Sequence, residues 1–222
     1  MIRPKKIVCV TGNIGAGKTL VARRLIGGLL DFEYHGEVVD EEVLNKFYSD
    51  MKQHGYDTQM FFLSTRYQSL HKMKIGEKSA VTDRYIDEDI EIFSTQLLKQ
   101  GNISSEHYNT ILKTRDAMVE AFENSLDLLI YLHADVDVLR SRIEKRIGLN
   151  PKRENERGLL DPKNNYLSEL NDLYDNWFNN YEGDKLLINT NDLILSDEKG
   201  ESPLRFGHIE ETLNTIENHL YS

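Results

Sequence analysis

Cysteine is almost missing from this sequence: the single thiol, Cys9, lies in an apolar run, and no intramolecular disulfide is possible. A reducing compartment, cytoplasmic or otherwise intracellular, is the expectation, and a structural zinc finger is excluded. No apolar run approaches the ~18 residues of a membrane span, and no charged-then-apolar leader opens the sequence, so neither a membrane protein nor a secreted one is expected. Positive charge is in short supply, with 27 Lys+Arg against 37 Asp+Glu and a formal net charge of −10. That balance speaks against a broad grip on nucleic acid or on an anionic membrane, although a local basic cluster can still hold a small anion. The four prolines are scattered, and no internal repeat or low-complexity tract is present. What remains is ordinary globular material: 222 residues, 39% hydrophobic and 29% charged. That length can bury a continuous core and suggests one domain over residues 1–222.

Short apolar runs alternate with longer segments of helical period, the pattern of a parallel sheet covered by helices. Strands are predicted at 6–11, 34–39, 79–83, 128–132 and 185–189. Helices are predicted at 19–30, 43–50, 58–74, 87–100, 104–125, 136–146, 166–181 and 208–220, with a polar stretch of both charge signs at 148–163. The fold class is therefore α/β, with five parallel strands flanked by helices.

Gly12-Asn13-Ile14-Gly15-Ala16-Gly17-Lys18-Thr19 fits the pattern G-x-x-x-x-G-K-[ST] at every position, between a predicted strand and a predicted helix. Phosphates need many backbone N–H groups converging on one point. Glycines let the chain curl closely around the anion, and the new helix adds its positive end. Lys18 would reach the outer phosphates and the Thr19 hydroxyl would ligate Mg²⁺, so a nucleoside triphosphate is the expected ligand.

Three reaction classes share this loop. A GTPase would carry a guanine-reading Asn-Lys-x-Asp, yet Asn189-Thr190-Asn191-Asp192 lacks the lysine, and Asp83 is followed by Arg84-Tyr85-Ile86 with no glycine. A motor or transporter ATPase would show a hydrophobic strand ending in an acidic pair, and none is found. A small-molecule kinase needs a base beside the loop, an acceptor pocket and mobile arginines, and candidates for all three are present. Glu37-Val38-Val39 places a carboxylate at the end of the second predicted strand, beside the loop, where it could take the proton of an attacking hydroxyl. Phe47-Tyr48-Ser49-Asp50 follows, then Gln59 and Arg66, seven residues apart and so on nearly one helix face. Thr82-Asp83-Arg84 ends the third strand, Asp89 lies five residues beyond Arg84, and Phe93 four further on. Arg140, Arg142 and Arg146 lead into Arg153-Glu154-Asn155-Glu156-Arg157-Gly158.

In this order and spacing, from the loop to about Tyr181, these motifs resemble the deoxynucleoside kinase family of deoxycytidine, deoxyguanosine and deoxyadenosine kinases. The resemblance implies a P-loop kinase fold with an arginine-bearing lid over about 146–160, and transfer of a phosphoryl group from ATP·Mg²⁺ to the 5′-hydroxyl of a 2′-deoxynucleoside. It implies Glu37 as general base and Arg84 as the group that orients the base and the 5′-oxygen. Tyr48 and Glu156 would bind the sugar 3′-hydroxyl, the Tyr48 ring leaving no room for a ribose 2′-hydroxyl. Gln59 and Arg66 would contact the base edge, Asp89 would pair with the base-reading arginine, and Phe93 would stack the base. Asp83 would hold Mg²⁺ through water, together with Thr19. Arg142 and Arg146 match the first two lid arginines, and the third is displaced to Arg153. Valine replaces the family's proline after Glu37, Tyr85 replaces serine after Arg84, and Thr58 stands where relatives often have an aromatic. The Gln59, Arg66 and Asp89 set favours purine deoxynucleosides or deoxycytidine over thymidine, with a lean towards purine. A homodimer is implied by resemblance alone. The alternatives are a nucleoside monophosphate kinase, which needs no hydroxyl-activating base, and a non-catalytic ATP-binding module.

Overall fold

The computed structural model describes residues 4–38, 40–120, 126–192 and 209–221. Five strands form one sheet: β1 (Ile7–Gly12), β2 (Glu33–His35), β3 (Ala80–Thr82), β4 (Leu128–His133) and β5 (Lys185–Asn189). Their spatial order is β2-β3-β1-β4-β5 and every pairing is parallel. Strand β1 sits at the centre, with Val8 opposite Val81 on one side and Leu128 on the other. All of its residues are buried, and β3 and β4 are nearly so, which is why these strands read as continuous apolar runs rather than alternating ones. The edge strands β2 and β5 carry the exposed positions.

The helices are α1 (residues 18–29, with π turns over Val21–Ile26), α2 (Glu41–Ser49), α3 (Met51–Ile75), α4 (residues 89–99, opening with π turns over Asp89–Ser94), α5 (Ser105–Glu120), α6 (Val136–Leu149), α7 (Tyr166–Asn180) and α8 (Ile209–Tyr221). Between α6 and α7 the segment Pro151–Leu160 winds into 3₁₀ turns, so the polar stretch predicted at 148–163 is largely helical. Parallel strands send all their carboxyl ends to one edge of the sheet. Gly12, Glu37 and Asp83, which lie at or just beyond the ends of β1, β2 and β3, therefore gather there, where open α/β sheets bind their ligands.

Two boundaries differ from the sequence reading for identifiable reasons. Strand β2 ends at His35 rather than running to 39, because the Glu37 N–H donates to Asp83 Oδ1 (3.0 Å) instead of to the ladder; Val39 lies outside the described residues. Glu37 is thus a loop residue, and strand alternation does not set its direction. Helix α3 begins at Met51, not 58, capped by the Asp50 side chain, which accepts from Gln53 N (2.9 Å). Gly55 sits inside α3, where a Cβ would come within 3.2 Å of Ile103 Cγ2. Its lack of a side chain allows that close packing. Residues 121–125, predicted to end α5, lie outside the described part of the chain.

Candidate active site

The phosphate loop hangs between β1 and α1. Gly15 (φ 86°) and Gly17 (φ 99°) adopt left-handed backbone that a side chain would strain, and a Cβ on Gly12 would lie 2.5 Å from the Leu132 carbonyl oxygen. The Lys18 ammonium donates to the carbonyls of Gly12 (2.7 Å) and Asn13 (2.9 Å). Burial, with the nearby Arg84 charge, brings its pKa down to about 7. Asn13 is buried and ties the loop to α7, its Nδ2 donating to Leu167 O (2.8 Å) and to Asn171 Oδ1 (2.7 Å). Behind the loop, Arg142 donates from NH1 to Gly15 O (3.4 Å) and from NH2 to Thr190 O, while the Thr190 hydroxyl donates to Ala16 O (3.2 Å).

At the mouth of the loop the Asp83 carboxylate is surrounded. Oδ2 accepts from the Thr19 hydroxyl (2.6 Å) and the Tyr34 phenol (3.0 Å), and Oδ1 accepts from the Glu37 N–H. Next to it Glu37 Oε1 meets Arg84 Nε (3.0 Å) and Arg66 NH2 (2.9 Å). Burial works to raise the Glu37 pKa, but the charges of Arg84, Arg66 and Lys18 overcome it and bring it down to about 2. Asp40, the other acidic candidate of this stretch, is an exposed cap of α2 that accepts from Glu42 N and Val43 N. The structure brings Lys18, Glu37, Arg66, Arg84 and Asp83 into one electrostatic cluster.

Beyond Glu37 the pocket turns unpaired. Arg66 NH1 lies 3.4 Å from Asp89 Oδ1, yet both Asp89 oxygens, Gln59 Oε1, and Arg66 Nε and NH1 are buried without a hydrogen-bond partner. Asp89 is 1% exposed and Gln59 3%. Buried polar atoms left without partners have the character of a binding site, since each unmade bond costs ~1–3 kcal/mol. Flat faces flank it: the Arg66 guanidinium lies over Phe62 (5.0 Å) and that of Arg84 over Phe93 (4.7 Å). On the other side Glu156, in the 3₁₀ turns, accepts from Arg146 NH2 (2.6 Å) and Arg153 NH1 (3.1 Å). Burial, and then the Glu156 charge, pushes the Tyr48 phenol up to about 12.

The chain matches the model of the deoxynucleoside kinase family over residues 8–212. It belongs to that family. This kinase phosphorylates the 5′-hydroxyl of deoxynucleosides. It is similar to a deoxyadenosine/deoxycytidine kinase of Bacillus subtilis, at 32% identity over 89% of this chain and 88% of the relative. A deoxyadenosine kinase of Lactobacillus acidophilus is 29% identical over 96% and 99% of the two chains. Among solved structures, a deoxyadenosine kinase from M. mycoides with bound dATP superposes with a TM-score of 0.73 at 26% identity, covering 97% of this chain and all of that one.

Of the sites read from the sequence, the phosphate loop, Glu37, Arg66, Arg84, Asp89 and Phe93 come together in the kinase, and Arg146 and Arg153 meet on Glu156. Arg142 lies apart, bracing the loop from behind. Sequence reasoning missed Tyr34, Glu88, Asn171, Tyr174 and Thr190. The one local signal was Asn171, a polar residue on the buried stripe of α7 that also carries Leu167, Leu170 and Tyr174.

Asp89 carries a pH signature. Burial raises its carboxyl from 3.8 to about 7, with Arg66 pulling the other way. Between those values the folded state holds its proton longer than the unfolded state, so this group's stabilising contribution is full below pH 3.8 and is lost as pH rises through about 7. Asp89→Asn removes that loss. Urea unfolding of the variant and parent should give matching stability near pH 4 and a variant more stable by on the order of 2 kcal/mol at pH 8. A constant difference across that range would place the Asp89 titration elsewhere.

Proposed function

We propose that this kinase transfers the γ-phosphoryl group of ATP to the 5′-hydroxyl of a purine 2′-deoxynucleoside, with deoxycytidine next in preference and thymidine disfavoured. One observation carries the choice of base: the buried, unpartnered acceptors on Asp89, beside the Arg66 guanidinium, and on Gln59, seven residues before Arg66 on α3. Acceptors in a dry pocket call for N–H donors on the ligand. Adenine, guanine and cytosine bring an exocyclic amino group, whereas thymine offers one ring N–H between two carbonyls, which would set acceptors against acceptors. The similar kinases of Bacillus subtilis and Lactobacillus acidophilus, named for deoxyadenosine and deoxycytidine, support the same reading.

In this reading the loop N–H groups and Lys18 cradle the phosphates, and Arg146 and Arg153 turn from Glu156 towards the transferring group as the lid closes. Arg84 orients the 5′-oxygen, Phe93 stacks the base, and the Tyr48 ring fills the space a ribose 2′-hydroxyl would need. Glu37 receives the hydroxyl proton. A carboxylate with pKa near 2 is a weak base, but the phosphoryl-transfer transition state is loose and the proton leaves late. Phosphates sharing the charges of Lys18 and Arg84 would also relax their pull on Glu37. The Thr19 hydroxyl and Asp83 carboxylate, 2.6 Å apart at the loop mouth, are the hard oxygen pair that suits Mg²⁺, which takes few protein ligands and completes its shell with phosphates and water. When bound, the ion would neutralise charge between the β- and γ-phosphates. No helix among the described residues is long and apolar enough to cross a membrane. The family resemblance supports a one-domain chain working as a cytoplasmic homodimer.

Tyr48 and Glu156 are read as partners of the 3′-hydroxyl, and the acceptor tests this. Each buried partner left unpaired costs ~1–3 kcal/mol, so kcat/KM for 2′,3′-dideoxyadenosine should fall roughly 10²-fold below that for 2′-deoxyadenosine. Equal values would remove both residues from the sugar site.

A further inference from the structure

Arg84 touches two carboxylates of different character. Glu37 is 23% exposed in its side chain, lies on the pocket wall and is shared with Arg66. Glu88 is wholly buried, and both of its oxygens are taken by partners within the protein. Its Oε1 accepts from Tyr85 N (2.9 Å), and its Oε2 accepts from the Tyr174 phenol (2.8 Å) and from Arg84 NH1 (3.3 Å). The Tyr174 oxygen in turn accepts from Arg84 NH1 (3.4 Å). Tyr174 is itself fixed: fully buried, its ring stacks on Tyr131 at 5.8 Å and 15°, and the Tyr131 hydroxyl is held by Asp175 Oδ1 (2.8 Å). A buried carboxylate is tolerated only when its oxygens are satisfied, and Glu88 meets that condition with donors from its own turn, from Arg84 and from α7.

We infer that Glu88 and Tyr174 are positioning residues, a permanent anchor that holds Arg84 in place while Glu37 exchanges that arginine for the acceptor hydroxyl. The inference deepens, and rests on, the acceptor-site role of Arg84 proposed above. Tyr174 also completes a pattern on α7. Leu167 O and Asn171 hold the phosphate loop through Asn13, and Tyr174 follows Asn171 by three residues on the same buried stripe. One face of one rigid helix therefore fixes both the donor loop and the acceptor arginine. That sets the gap between γ-phosphorus and 5′-oxygen, to which transfer rates are steeply sensitive.

The test uses Tyr174→Phe, which keeps the stacked ring and deletes one oxygen, alone and combined with Arg84→Lys. Steady-state kinetics on the full chain should show kcat falling roughly ten-fold in Tyr174→Phe with KM for ATP within about two-fold of parent. In the Arg84→Lys background the same change should cost less than about two-fold, because the phenol acts through the guanidinium. A Tyr174→Phe protein that melts lower yet keeps the parent kcat overturns the inference. So does an undiminished loss in the double variant. If Arg84→Lys itself turns over at the parent rate, the acceptor-site reading falls and takes the anchor with it. A slow Arg84→Lys beside a fast Tyr174→Phe removes the anchor alone.

Discussion

Replacing Glu37 with glutamine should lower kcat by roughly 10²–10⁴ while deoxynucleoside binding survives. Glutamine keeps the length and planarity of the side chain, so it can still accept the hydrogen bond that Arg66 NH2 now donates to the carboxylate at 2.9 Å. What it cannot do is remain an anion that receives the hydroxyl proton. Asp40→Asn is the control. Asp40 faces solvent and serves α2 as a cap, a task asparagine performs about equally well, so kcat should stay close to parent. Rapid-mix and steady-state assays of both variants decide the matter. A large loss in Asp40→Asn with a near-normal Glu37→Gln would move the base to Asp40 and overturn an acceptor site built around Glu37.

Lys18→Ala should abolish measurable transfer, a loss on the order of 10³-fold or more, while the melting temperature holds steady or rises. The two halves of that result have one cause. Burial and the Arg84 charge bring the Lys18 pKa down to about 7, so the protonated form is held in the fold at a cost. Its ammonium rests on two loop carbonyls, Gly12 O and Asn13 O, a substitute for the phosphate oxygens it would meet in the complex. Alanine relieves the unfavourable charge and removes the group that would stabilise the transferring phosphoryl. Thermal unfolding alongside a transfer assay separates the effects. An alanine variant that transfers near the parent rate would dislodge the ATP site from this loop.

The phosphate loop was legible in the sequence because eight consecutive residues must satisfy one local geometry, and local geometry leaves a local pattern. The central strands were legible for the same reason, since β1 and β4 are buried on both faces and must be apolar throughout. The second strand was misjudged because its end is set by a bond from a distant residue, Asp83 to Glu37 N, which no periodicity reveals. The role of Gly55 near the start of α3, its close packing against Ile103, becomes visible only when the two segments meet. Gln59 and Arg66 could be found from their order in the family's motifs and their seven-residue spacing on one helix face; both prove buried on α3. Supports of the site were harder to see. Asn13 finds Asn171 across 158 residues, and Glu88 finds Tyr174 across 86; partners at that range are chosen by the fold alone. The lid was recognised as an arginine cluster, but only the folded chain sorts Arg146 and Arg153 onto Glu156 and sends Arg142 behind the loop.

The central claim is that Glu37, Arg84, Tyr48 and the Gln59–Arg66–Asp89 pocket receive a neutral deoxynucleoside through its 5′-hydroxyl. Transfer from γ-³²P-ATP, measured side by side for deoxyadenosine, deoxyguanosine, deoxycytidine, thymidine, adenosine and dAMP, tests it most directly. The account predicts label on the two purine deoxynucleosides first and deoxycytidine next, with thymidine and adenosine far slower. It predicts none on dAMP, whose phosphate would face the carboxylates of Glu37 and Glu156. Faster labelling of dAMP than of deoxyadenosine, or thymidine as the leading acceptor, would contradict it.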